Sequence, residues 1–243
     1  MGDYCDVSRV KVVKTTKEVV YSMVTKKHYA KKWSASNQVY AVYWDDGESE
    51  FFEDRKLKLI GVALYGHPGG FRVVKSVSED LEDGEVSELK RLWMEDGYGK
   101  NIESYVIAQT LKMLKKNDPR LKAVISFADP AQEHAGTIYQ ATNWLYQGRK
   151  VSRGGWYEFR YPGTKNWLSD RAIGYQLGSN SLEKVLKKVP DMEWRRKYRK
   201  HRYIYLLGNR SERKNLMKKL KHPLRPYGFE CDCEKMCECP PSM

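Results

Sequence analysis

A chain of 243 residues with 41% hydrophobic content is long enough to bury a real core, so disorder is excluded for its body and one main domain with an appendage is expected. No run of about 18 apolar residues occurs and "MGDYCDVSRVKVVK" holds no apolar leader, which points to a cytoplasmic protein that neither spans nor crosses a membrane. The formal net charge of +13 sits in one place: residues 184–227 hold sixteen Lys/Arg against three Asp/Glu, while the rest is balanced at 28 and 28. Such a block is the footprint of contact with a polyanion, each cation neutralising a phosphate; a solvated lysine-rich face is the plainer alternative.

In chain order, "RVKVVK" (9–14) reads as a strand and "TKEVVYSMVTKKHYA" (16–30) has apolar residues at helical spacing. "QVYAVYWDD" (38–46) and "LIGVALYG" (59–66) read as an antiparallel strand pair joined by an acidic loop over 45–57. "EVSELKRLWM" (85–94) fits a strand or a short helix. "EDGYGKN" (95–101) is a glycine loop, "IESYVIAQTLKMLKK" (102–116) a helix stopped at Asn117-Asp118-Pro119, and "LKAVISFA" (121–128) a buried strand. A helix is expected over "GTIYQATNWLYQ" (136–147), completing an α/β crossover. "WYEFRY" (156–161) is an aromatic strand and 162–180 a loop. Ser181 caps a helix that ends at Pro190, "HRYIYLLG" (201–208) is a strand, and Ser211 caps a last helix before Pro223.

The turn "ADPAQEHAGTIYQ" holds the residues with the strongest chemical character. An Asp at the carboxyl end of a central strand stands where open α/β sheets place their ligands, which makes Asp129 a catalytic candidate; capping of the turn is the other reading. His134 in the turn and Tyr139 in the first turn of the helix supply an acid/base and a proton donor; core packing is the alternative for Tyr139. "KKHYAKKW" places His28 and Tyr29 among lysines, a lining suited to an anionic substrate or plain surface decoration. Gly97, Gly99, Lys100 and Asn101 precede a helix N-terminus, where free N–H groups can meet a phosphate, although glycine pairs also mark ordinary turns. The tail thiols Cys231, Cys233, Cys237 and Cys239 can converge on zinc or form a free thiol tail.

"SELKRLW", "GKNIESYVIAQTLKMLKK", "ISFADPAQEHAGTIYQATNWLYQG" and "KHRYIYLLGNRSERKNLMKKLKHPLRPY" resemble the Mom family, DNA adenine modification enzymes of the phage Mu type, over roughly residues 20–227. The resemblance implies an α/β fold like that of the GNAT acyltransferases: a central mixed, splayed β-sheet flanked by helices that admits an acetyl-CoA or related acyl or glycyl donor. It implies conversion of adenine in phage DNA to a carbamoylmethyl derivative that hides restriction sites, with weight on His28, Tyr29, Arg91, Ser104, Asp129 and Tyr139. Two departures stand out: Glu133 precedes His134 where relatives carry Gly-His, and "EDGYGKN" differs from the Gln/Arg-x-x-Gly-x-Gly/Ala pyrophosphate loop of GNAT enzymes.

The implied product bonds the exocyclic nitrogen to a methylene, so plain acetylation is not the whole reaction. An iron ion held by His134 and Asp129 is one way to activate such a carbon. Asp129 or His28 is expected as base toward the amine, with Tyr139 and Ser104 positioning the donor. Adenine hides its amine in duplex DNA, so it is expected to be flipped out, with Arg195, Arg196, Lys197, Arg199, Lys200 and Arg202 on the backbone phosphates. The expected partition is a catalytic core over 1–165, a basic strand-helix extension over 166–227 and a Cys-rich tail over 228–243. The alternatives are a transferase acting on another base, a tRNA or a protein amine, and a non-catalytic nucleic-acid-binding protein.

Overall fold

The computed structural model describes residues 3–47, 57–130, 134–149, 157–196 and 200–227. Glu133, Lys197, Arg199 and the four tail cysteines lie outside the described residues. By contacts the chain forms two compact units, one holding the described residues within 3–127, 136–147 and 202–227, the other those within 128–135 and 148–201.

The first unit carries a seven-stranded mixed sheet in the order β1-β2-β3-β4-β5-β10-β6. Its strands are β1 (Val10–Thr15), β2 (Gln38–Asp45), β3 (Leu57–Gly66), β4 (Val86–Met94), β5 (Ala123–Ala128), β6 (Leu145–Arg149) and β10 (His201–Leu206). β1 to β4 form an antiparallel meander, and β4 pairs parallel with β5 across the helix α3 (Ile102–Asn117). The segment 85–94, open between strand and helix in the sequence, is β4, and the expected β2–β3 pair is present.

Helix α1 (Lys17–Lys26) buries Val20, Met23 and Val24 at i, i+3, i+4 spacing. They pack on Val39, Ala41, Val62 and Leu64 of the sheet. At about 1.5–3 kcal/mol for each fully buried aliphatic side chain, that contact outweighs the roughly 0.5 kcal/mol penalty of a valine in a helix. A second cluster joins α2 (Phe71–Lys75) and α7 (Arg210–Lys218) to the sheet through Val74, Leu216, Ile125, Ile204 and Leu206. On the opposite face α3 seals the interior with Thr110, whose hydroxyl lies 2.7 Å from that of Tyr65.

Three expectations about elements need correction. Helix α4 spans Thr137–Gln140 and does not continue to 147. Asn143 takes a left-handed conformation with φ 60°, and the chain then enters β6, whose Tyr146 and Gln147 are buried on opposite faces as a strand requires. Helix α7 starts at Asn209 and not at Ser211: the Asn209 side chain accepts the Glu212 N–H while the Glu212 carboxylate accepts the Asn209 N–H. The supposed loop 162–180 contains α5 (Asp170–Leu177), capped by Ser169 and closed by Gly178 at φ 70°.

The second unit is built on a three-stranded antiparallel sheet, β8 (Leu168–Ser169), β7 (Tyr157–Arg160) and β9 (Glu193–Arg196), in that spatial order. Phe159 anchors it against Ile173 of α5, Val185 of α6 (Leu182–Lys188) and Met192. Contacts therefore divide the chain elsewhere than at residue 165, because β10 enters the large sheet between β5 and β6 and takes residues 202–227 with it.

Candidate functional site

β4 and β5 pair at only three positions, Val86↔Ala123, Ser87↔Val124 and Glu88↔Ile125, although β4 runs on to Met94 and β5 to Ala128. The parting has a local cause on the other edge of β4. Leu64 of β3 faces Arg91 while Tyr65 faces Leu89, so Lys90 is an extra residue in β4. A bulge of this kind bends its strand and sharpens the twist, which turns β4 away from β5. Past the last pair, Ser126 Oγ approaches the Leu89 carbonyl at 3.0 Å and the Tyr139 hydroxyl at 2.8 Å.

Tyr139 reaches this opening because of a glycine. Gly136 caps α4 at φ 83°, and a Cβ there would fall 2.6 Å from Tyr203 Cζ. The missing side chain lets the Tyr203 ring lie 5.0 Å from that of Tyr139, with Gln140 Nε2 donating to the Tyr203 hydroxyl at 3.2 Å. Burial, reinforced by Tyr29, Tyr203 and Glu88 nearby, pushes the Tyr139 hydroxyl up to about 12, while the Ser126 bond pulls it down. At neutral pH Tyr139 is therefore a phenol. Ser126 has one proton: given to Leu89, it makes Tyr139 the donor to Ser126; given to Tyr139, it leaves the phenolic proton for a substrate oxygen.

The structure brings Tyr29 to the same place through its electrostatic effect on Tyr139, and the His28 ring lies 4.3 Å from that of Tyr29. His28 is buried, and its Nδ1 accepts the Ala30 N–H at 3.0 Å. The neutral ring then carries its proton on Nε2. In this arrangement His28 is a donor with no lone pair to spare, which corrects its expected role as base. Arg91 faces Leu64, on the side of the sheet that α1 covers; its Nη1 donates to the Lys90 carbonyl at 2.6 Å and its Nε is buried with no hydrogen-bond partner among the described residues.

Ser104 and Asn101 line a cleft of about 760 Å³ that runs along α3 to Leu206 and Leu207. Lys112, Lys115 and Arg213 also line it, and no Asp or Glu does among the described residues. Its size is that of a small-molecule site and its charge suits an anionic ligand. The glycine loop before α3 is organised differently from the expected phosphate cradle. The Lys100 N–H donates to the Asp3 carbonyl at 2.9 Å and the Lys100 carbonyl accepts the Cys5 N–H at 3.0 Å. Gly99 is required because a Cβ would sit 2.7 Å from Cys5 N. Its glycine thus serves the close approach of the N-terminal segment, and Gly97 borders no other backbone within 4 Å.

Asp129 and His134 belong to the second unit, where the Asp129 carbonyl accepts the His134 N–H at 3.3 Å and its carboxylate pairs with Lys200 at 3.0 Å. No group of three or more His, Cys, Asp or Glu side chains fit to hold a metal ion occurs among the described residues. With a lysine on the carboxylate and no third ligand among the described residues, His134 and Asp129 as described do not fit the expected iron. Arg195 is engaged by Glu158 and lies 4.4 Å over Trp167, and Arg196 is exposed on β9. Arg202 is only 2% exposed, so it is no surface contact for a phosphate, contrary to expectation. Ser126, Tyr203 and Gln140 were missed by the sequence reading; the available signal was the single polar residue, Ser126, inside the apolar run "AVISFA".

A mixed sheet parted between two parallel strands, with buried phenols at the parting and a cleft lined by Lys112, Lys115 and Arg213 along the crossover helix, defines the class as α/β with a splayed mixed sheet. The chain belongs to the Mom protein family, whose model matches residues 9–228. It is 30% identical over 175 residues to the Methylcarbamoylase mom of Escherichia phage Mu, covering 70% of this chain and 67% of that protein. Among solved structures it is similar to Arabidopsis thaliana NAA60 in complex with acetyl-CoA, at a TM-score of 0.45 and 10% identity over 82% of this chain and 99% of that one. An N-acetyltransferase from Staphylococcus aureus Mu50 gives a TM-score of 0.41 at 13% identity, over 82% and 99% of the two chains.

Proposed function

We propose that this chain transfers a carbamoylmethyl group to the exocyclic amine of adenine in DNA. The reading is supported by membership of the Mom family and by the name methylcarbamoylase of the phage Mu relative. The observation that carries it is the buried, neutral Tyr139 phenol held by Ser126 at the parting of β4 and β5. A phenol in a dry site can hold the developing charge on a donor carbonyl oxygen.

In the transfer the amine nitrogen forms a bond to the donor methylene carbon, the bond from that carbon to its leaving group breaks with its electron pair, and the amine gives up one proton. Asp129 receives that proton, and Tyr139 steadies the carbonyl oxygen. An acyl-CoA-like donor lies in the cleft along α3, its anionic part facing Lys112, Lys115 and Arg213. Arg195, Arg196 and Lys200 hold the DNA backbone while the target base is extruded, since the amine is shielded in the stack.

The test is mass spectrometry of nucleosides from DNA of cells expressing the wild type, Tyr139→Phe or Asp129→Asn. A deoxyadenosine carrying the carbamoylmethyl mass in the wild type, and much reduced in both variants, is expected. Unmodified DNA from the wild type, with a modified nucleoside in its tRNA, would move the reaction to another acceptor.

A further inference from the structure

Helix α7 carries more charge than its place in the fold calls for. It buries one residue, Leu216, against the large sheet. At 3.6 residues per turn Lys214 stands about 160° around the axis from Leu216, with Arg210 one turn before it and Lys218 one turn after. The three cations are exposed and form an outward row about 12 Å long. Arg213 lies beside the row and also lines the cleft along α3.

Acids answer the cations that face the protein and leave this row alone. Just beyond the helix, Lys219 pairs with Asp80 and Lys221 with Glu79. Glu212, the acid of α7, is turned back to the N-cap, where it accepts the Asn209 N–H at 2.7 Å. Among the described residues no carboxylate pairs with Arg210, Lys214 or Lys218. The row also works against the helix that carries it. Arg210 and Lys214, and again Lys214 and Lys218, are like charges at i, i+4, which repel on a helix surface. Arg210 holds the first helical position, where the macrodipole disfavours a cation. A face needed only for solubility would be served better by alternating signs.

We infer that Arg210, Lys214 and Lys218 form a docking surface for the phosphate backbone of duplex DNA. The inference rests on the DNA reading above for the identity of the polyanion, and on charge complementarity for the choice of surface. A duplex carries one negative charge per about 1.7 Å of its axis, so about seven fall within the length of the row. Phosphate contacts of this kind fix position and carry no sequence information. Of the cations already assigned to the DNA, Arg195 must exchange Glu158 for a phosphate and Lys200 must exchange Asp129. On α7 a phosphate displaces no acid, and it relieves the repulsion within the row.

The experiment measures the affinity of the full chain for an adenine-containing duplex against salt, with thermal melting as the check on folding. Arg210→Gln, Lys214→Gln and Lys218→Gln are combined in one variant, because Gln keeps helix propensity; Arg213 is left in place. This variant should melt within about 2 °C of the wild type or above it. It should bind the duplex about 10–100-fold more weakly at low salt, with a salt slope shallower by about 2.7, or about 0.9 for each cation. Arg210→Lys, Lys214→Arg and Lys218→Arg together should keep both affinity and slope. A third variant removes the same charge from scattered exposed lysines, Lys11→Gln, Lys14→Gln and Lys184→Gln. Its loss should stay below about threefold, since distant exposed charges are screened.

Unchanged affinity and slope in the α7 variant would overturn the surface. So would an equal loss in the scattered variant, which would reduce the effect to net charge. Melting well below the wild type would mean that the row is bound within the protein, and would overturn it as well. Lost affinity for a structured RNA, with duplex affinity kept, would make the partner RNA and sink the proposal. If the wild type modifies adenine and the α7 variant binds and modifies alike, the reaction stands and the surface falls. If duplex binding depends on the row while adenine is never modified, the surface stands and the proposed reaction falls.

Discussion

The two sheets of this protein use polar side chains in opposite ways. On β7 and β9, Arg160 pairs with Glu193 and Arg195 with Glu158, and both guanidinium groups lie over Trp167 at 4.7 and 4.4 Å. These groups keep much of their access to water, where an ion pair is worth about 0–1 kcal/mol. In the large sheet two buried pairs join hydroxyl to hydroxyl, Tyr65 to Thr110 and Ser126 to Tyr139, sealed from water at 2.7 and 2.8 Å. There no solvent competes, and an unmet partner costs the full desolvation penalty. The comparison teaches that charge marks a surface that can exchange partners, whereas buried neutral hydroxyls mark a geometry held in one arrangement.

The sharpest way to break the contrast is Tyr139→Phe, which keeps the ring and removes one oxygen. Product formation should fall by about 10²–10³-fold while melting shifts little, since Ser126 still reaches Leu89. Equal losses in activity and stability would make Tyr139 a packing residue. Next in size is Gly136→Ala, which forces a left-handed alanine against the Tyr203 ring. A loss of about 2–4 kcal/mol by denaturant titration is expected from strain and overpacking together.

A third effect appears at alkaline pH. Tyrosine ionises near 10 in the unfolded chain, whereas burial holds Tyr139 protonated to about 12. The unfolded chain therefore loses its proton first as pH rises. Stability that is full below pH 10 should decline through 12 by about 2–3 kcal/mol from this group. Tyr139→Phe should flatten part of that decline, while Tyr65, raised by its own burial, keeps the remainder. The smallest effect belongs to the exposed sheet: Glu158→Gln should change stability by no more than about 1 kcal/mol. A larger loss would show that the arginine stack on Trp167 is rigid, and would weaken the contrast between the sheets.

Much of the meander was legible. Strands β1 to β3 and β5 alternate or run apolar between turn residues, and helices α1 and α3 show their stripes. The short elements were less so. "TIYQATNWLYQ" has the composition of one helix, but Asn143 turns left-handed and delivers Trp144 to the core, where burial overrides local preference. α5 was hidden because glycine and polar residues surround its one buried anchor, Ile173. Of the site, Tyr139 and its glycine could be read from the turn. The bulge at Lys90 could not, since nothing in "SELKRLW" says which strand will face it.

What the sequence determined by itself was everything that depends on near neighbours: strand and helix periodicity, the turn after Asp129, the basic block over 184–227 and the family motifs. Tertiary structure decided which side chains lose their water. It sealed Tyr139 beside Ser126 so that its phenol stays protonated, tied the glycine loop to the N-terminal segment, and sent Arg202 inward while Arg195 and Arg196 stayed out. The physical reason is that solvation belongs to no residue alone. It is set by what strands distant in sequence bring across, and a lysine-rich or arginine-rich stretch reads the same whether its next cation faces water or the core.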